Sequence, residues 1–125
     1  MTTPTYQQSV TVPFHALSPN KQAGENKFAK SRRVKAQRLG THWALLSINK
    51  PQFPCVVTMT RIAPAGAAGF TGLDRHDNLP GSTKACVDGV ADWLGIRDDD
   101  KRVEWRYAQE QGKEYAVRIT VEADA

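Results

Sequence analysis

What this chain lacks narrows its chemistry before any motif is read. None of its apolar runs approaches the roughly 20 residues that a membrane-spanning helix needs, so no membrane partner is expected. It has only two cysteines, Cys55 and Cys86, without metal-ligand spacing; both are expected to be reduced core residues. His15, His42 and His76 show no zinc spacing with one another or with the cysteines. The segment PGSTKA lacks the full phosphate-loop pattern, and GAAGFTG lacks both the dinucleotide fingerprint and a helix directly after it. No serine or cysteine stands in a nucleophile context. The first twenty residues carry no basic-then-apolar signal pattern, which leads to the expectation of a cytoplasmic protein. What remains able to carry chemistry is carboxylate.

The charges that are present are unevenly placed. The 125 residues carry a net charge of +4 and a pI near 9.3. Between Lys21 and Arg38 lie seven bases (Lys21, Lys27, Lys30, Arg32, Arg33, Lys35, Arg38) against one acid, Glu25. Between Asp74 and Glu104 lie eight acids against five bases. A basic first third and an acidic second half fit a polyanionic partner on one side and a cation on the other, although net charge alone is weak ground for either.

The length suits one domain, residues 1–125, with residues 1–6 and 123–125 expected as loose termini. Gln7–Phe14 alternates as a strand, and Pro13 either ends it or marks an edge. Residues 29–48 read as a helix in which Phe28, Ala36, Leu39, Trp43 and Leu46 share an apolar face. Cys55–Ile62 is β-branched enough for a buried strand. Asn78 reads as the N-cap of a second helix of about sixteen residues, with the stripe Cys86, Val87, Val90 and Leu94 and a stop at Gly95. RVEWRYAQ and EYAVRITVE alternate around EQGK, a hairpin signature. The order is β, α, β, α, β, β: a small α+β domain with one mixed sheet packed against two helices.

Five aspartates flank that second helix: Asp74 and Asp77 before it, and Asp98, Asp99 and Asp100 after it. A sixteen-residue helix is about 24 Å long, so the groups meet only if the chain folds back along it. If they meet, their oxygens suit a hard divalent ion such as magnesium, which can clamp a phosphodiester and activate water. Lys84 is placed to neutralise charge developing on phosphate. The plainer reading, acids favouring a helix N-terminus and a solvated turn after its end, stands beside this one.

Across HDNL…KACVDGVADWLGIRDDDKRVEWRYAQEQGKEYAVRITVE the chain resembles the RusA family of Holliday-junction endonucleases, widespread in phages and prophages. Asp77-Asn78-Leu79 matches the second half of that family's Asp-x-Asp-Asn-Leu motif, KACVDGVADWLG its lysine-headed helix, and Asp98-Asp99 its acidic pair. PFHALSPNK resembles the family's N-terminal strand and loop more weakly. Two departures stand out: Arg75 holds the position of the family's first aspartate, with Asp74 one place earlier. Three additional residues also separate Asn78 from Lys84.

The resemblance implies a homodimeric, magnesium-dependent enzyme (manganese being a possible substitute) that places paired nicks in four-way DNA junctions, in recombination and repair. It implies metal ligation by Asp74, Asp77 and Asp99 and a catalytic role for Lys84. Phosphate contacts would come from Lys21, Lys27, Lys30, Arg32, Arg33 and Arg38, and the location would be a bacterial host's cytoplasm if the gene is phage-borne. The alternative is a non-catalytic nucleic-acid-binding module of the same fold that has lost its first metal ligand.

Overall fold

The computed structural model of the chain describes residues 6–17, 22–64 and 78–124. Their elements are β1 (Tyr6–Val12), α1 (Lys27–Leu45), β2 (Cys55–Pro64), α2 (Asn78–Ser82), α3 (Lys84–Leu94), β3 (Val103–Gly112) and β4 (Ala116–Ala123). The four strands form one mixed sheet in the order β1-β4-β2-β3, antiparallel except for the parallel β2–β3 pair. The α+β class with one mixed sheet is therefore as expected. β1 is an edge strand, in keeping with the proline that follows it. Tyr6 pairs with Ala123, so at those two positions the ends expected to be loose belong to the sheet.

The pleat sorts side chains between two faces. One face carries Val10, Val12, Cys55, Val57, Met59, Val117, Ile119 and Val121, which pack with Cys86, Val87, Val90, Trp93 and Leu94 of α3 into a single core. The other face presents Gln7, Ser9, Thr11, Glu104 and Arg106 to solvent. Both cysteines are buried and neither forms a disulfide.

The expected closing hairpin does not form. β3 lies beside β2, and β4 lies on β2's other side. β2 is the most apolar strand and gains most from the centre, where neighbours on both edges satisfy its backbone. Residues 113–115 therefore cross the end of β2, a span of roughly 10 Å that four Cα steps can cover. Gly112 permits the crossing: a Cβ there would lie 2.5 Å from Cγ2 of Ile62.

The packing of α1 sets its two faces apart. Its helix is capped by Asn26, whose side chain accepts from the Ala29 N–H at 2.8 Å. The apolar residues expected to share one face are open to solvent: Phe28, Leu39, Trp43 and Leu46 are 68%, 50%, 68% and 56% exposed. The buried side of α1 is Gln37, Thr41 and Leu45. The cause lies in α3, where Gly89 lets the helices come together; a Cβ on it would meet the Arg38 carbonyl at 2.5 Å and Thr41 Cβ at 2.8 Å. Close approach of two helix backbones requires a small residue at the crossing point, and Thr41 is the side chain that α1 sets against Gly89.

The expected sixteen-residue helix is two helices. Thr83 interrupts it with φ −105° and ψ 7°. Gly81, Ser82 and Thr83 are weak helix formers, and the Thr83 hydroxyl donates to the Pro80 carbonyl at 3.3 Å, competing with the helical ladder. The cap expected of Asn78 concerns a side chain outside the described residues.

Candidate functional site

Lys84 opens α3, and its ammonium bonds two carboxylates. It meets Asp88 one turn along the same helix at 2.9 Å, and it pairs with Asp98 from beyond the helix end. A C-terminal turn makes the second contact possible. Gly95 takes the left-handed conformation (φ 73°, ψ 32°), its N–H bonds the Asp92 carbonyl at 3.2 Å, and the Ile96 N–H bonds the Ala91 carbonyl at 3.0 Å. This paired arrangement turns the chain back along α3. β3 then pins the returning segment, because the Trp105 indole N–H donates to the Asp98 carbonyl at 3.0 Å. The fold-back that proximity requires is thus built for Asp98.

The electrostatics follow from these contacts. Burial pulls the Lys84 ammonium down, but hydrogen bonds to Asp98 and Asp88 outweigh it and its pKa is raised. The Lys84 hydrogen bond holds the Asp98 carboxyl below its ordinary value. Both partners therefore stay charged across neutral pH. Burial pushes up Tyr107, which stands close enough to feel both charges.

The other two aspartates of the triplet take different cations. Asp99 is largely exposed and pairs with Arg97 at 3.3 Å. Asp100 pairs with Arg102 at 2.8 Å, and that guanidinium holds its carboxyl down at about 2. The structure therefore sets Asp98 beside Lys84 and turns Asp99 toward solvent. Asp74 and Asp77, the other expected ligands, lie outside the described residues, as do His76 and Lys21.

Asp88 and Asp98 offer the hard oxygen donors that magnesium takes. Among the described residues, however, no three carboxylate, imidazole or thiol groups come together to hold a metal. A divalent ion at this position would need ligands from the segment that carries Asp74 and Asp77. Sequence reasoning passed over Asp88, Trp105 and Tyr107. Only Asp88 left a signal, the four-residue spacing from Lys84 on one helix.

The expected phosphate-binding residues divide. Lys27, Lys30, Lys35 and Arg38 follow one another along α1 and line an open groove of about 490 Å³ with Ser31 and Val34. The ridge ends at Arg38, whose guanidinium clasps Asp92 of α3 at 2.6 and 2.8 Å. Arg38 lies near enough to Asp88 and Asp98 for their charges to raise its pKa further. Arg33 instead forms a bidentate, largely buried pair with Glu25 at 2.9 to 3.2 Å. Arg32 is exposed, among the apolar residues on the outer side of α1.

Among the described residues, no helix is long and apolar enough to cross a membrane. Compared with known proteins, the chain matches no family model, and no curated protein matches it significantly.

Proposed function

We propose that the protein is a divalent-metal-dependent endodeoxyribonuclease that cuts branched DNA, four-way junctions above all, acting as a homodimer in a bacterial cytoplasm. One observation carries this reading: a charged lysine is held between two carboxylates, Asp88 and Asp98, whose charges also reach Arg38 at the end of a basic ridge. A ridge of cations suits a phosphate backbone and sets affinity without reading sequence. Magnesium, or manganese in its place, would be held by Asp74, Asp77 and Asp99, and when bound would activate water and neutralise phosphate charge. Lys84 stays protonated and so acts as a cation toward phosphate rather than as a base. Asp88 and Asp98 orient its ammonium. Lys27, Lys30, Lys35 and Arg38 bind the strand on either side.

A second reading keeps the DNA and drops the chemistry. The displacement of Asp74, one place earlier than the first aspartate of the motif it resembles, favours a binding module.

Cleavage of a labelled synthetic four-way junction separates the two, with magnesium against chelator, wild type against Asp77→Asn, and junction against linear duplex. Symmetric nicks that require magnesium, Asp77 and the junction establish the nuclease. Tight binding without nicks, equal in magnesium and chelator, establishes the binding module. Affinity no greater for junction than for duplex, without nicks, removes both. Isothermal titration of magnesium into wild type and Asp99→Asn tests metal binding without DNA; equal heats would remove Asp99 as a ligand.

A further inference from the structure

The outer face of α1 is an apolar stripe on a helix whose inner face is already packed against α3 and β1. Phe28, Leu39, Trp43 and Leu46 run along it, with Arg32, Lys35 and Ala36 interspersed, all exposed. The stripe is about 27 Å long at 1.5 Å per residue. Two aromatics at 68% exposure alone present roughly 200–300 Å² of apolar surface, and the leucines enlarge it toward the largest patches seen on monomers. Scattered exposed leucines need no explanation, but a continuous stripe of this size does.

We infer that this face binds the same face of a second copy, with the two α1 helices antiparallel across a two-fold axis beside Gln37 and Arg38. The residue spacing supports self-pairing. A two-fold contact requires that, where residue i meets residue j, residue j meets residue i. Set antiparallel about that point, Phe28 meets Leu46, Arg32 meets Trp43 and Ala36 meets Leu39. Phe28 and Leu46 are eighteen residues apart, five whole turns, so they lie on one line of the helix. Arg32 and Trp43, eleven apart, lie three turns from each other on nearly one line. Each pair is complementary: aromatic with aliphatic, guanidinium over indole, and large Leu39 over small Ala36. Arg32 thereby finds an indole rather than another cation.

The stripe forms the apolar centre of a footprint that, for a stable dimer, covers about 800 Å² on each copy. The neighbouring groove of Lys27, Lys30, Val34 and Arg38 lies to one side of the stripe, and Lys35 alone stands on the border of both. The inference stands on this face alone and does not rest on the nuclease reading.

Sedimentation equilibrium of the wild-type protein, without DNA, should give a dimer mass. Trp43→Lys sets a cation against Arg32 and should raise the dissociation constant about thirtyfold or more while the circular dichroism spectrum is unchanged. The double variant Arg32→Glu/Trp43→Lys should restore at least about tenfold of that loss. Residues 32 and 43 are about 16 Å apart along one helix, so the restoration comes only from across the two-fold. A monomeric wild type, or a Trp43→Lys protein that stays dimeric, overturns the inference. Dissociation by Trp43→Lys without rescue overturns the antiparallel pairing. Weakened duplex-DNA binding by Trp43→Ala at unchanged mass would assign the face to nucleic acid instead and also overturn it.

Discussion

α1 and α3 both carry apolar residues at helical spacing, more sparsely on α1, and these meet opposite fates. Both are amphipathic at helical spacing, and both have a tryptophan. In α3 the stripe of Cys86, Val87, Val90 and Leu94, together with Trp93, packs onto the sheet. In α1 the stripe of Phe28, Leu39, Trp43 and Leu46 faces solvent, and the side pressed inward holds Gln37, Thr41 and Leu45. An apolar stripe thus identifies a face that some surface will cover, without saying which surface. The close α1–α3 crossing decided between the faces, because Gly89 and Thr41 let backbones approach where leucine and tryptophan would hold them apart.

The two tryptophans give the widest separation. Trp93→Ala removes a side chain 2% exposed and should cost about 3–5 kcal/mol in urea unfolding, through forfeited transfer energy plus a cavity. Trp43→Ala should cost the dilute monomer less than about 0.5 kcal/mol. Equal losses would mean that α1's outer face is packed within the monomer. The crossing itself comes next. Gly89→Ala places a methyl group against the Arg38 carbonyl and should cost about 1–3 kcal/mol through overpacking. An unchanged midpoint would show that the helices can separate freely.

The Lys84–Asp98 pair is half exposed, so removing it with Asp98→Asn should cost only about 0.2–1 kcal/mol, less in high salt. Its pH window follows from the two shifts. Asp98 titrates lower when folded, so its contribution is present above the ordinary value of 3.8 and is lost as pH falls through the folded value. Lys84 titrates higher, so its contribution is present below 10.5 and is lost as pH rises through the folded value. The stability difference between wild type and Asp98→Asn should therefore be flat at neutral pH and shrink at both extremes. A difference that changes near pH 7 would show that another group controls the pair.

The smallest effect separates the two kinds of cation on α1. Lys30→Ala with Lys35→Ala should flatten the salt dependence of junction binding by about 0.9 in log–log slope for each phosphate no longer neutralised. Arg33→Ala should leave that slope alone and cost stability instead, because its guanidinium is held by Glu25. Equal slopes for both variants would place the groove outside the DNA path.

Local chemistry made much of the fold readable. Alternation marked β1, β3 and β4, a continuous β-branched run marked β2, Gly95 marked the end of α3, and the stripe of α3 named its buried side. The strand order was not readable. EQGK has hairpin chemistry, but β2, as the most apolar strand, took the place between β3 and β4. Of the candidate site, the spacing of Lys84, Asp98 and Asp99 on the chain was legible. Which aspartate meets the lysine was not, since that depends on the turn at Gly95 and on Trp105 reaching across from β3 to the Asp98 carbonyl.

The sequence by itself determined the inventory: one small α+β domain, helices with apolar residues at helical spacing, a basic segment, and acids at both ends of a helical segment that contains Lys84. These are local properties, set by residue type and periodicity. Only the tertiary structure decided that α1 turns its apolar stripe outward, that β2 separates β3 from β4, and that Asp98 rather than Asp99 holds Lys84. Each of those outcomes is a competition between distant segments for the same space, and residue periodicity along one segment carries no information about its rivals.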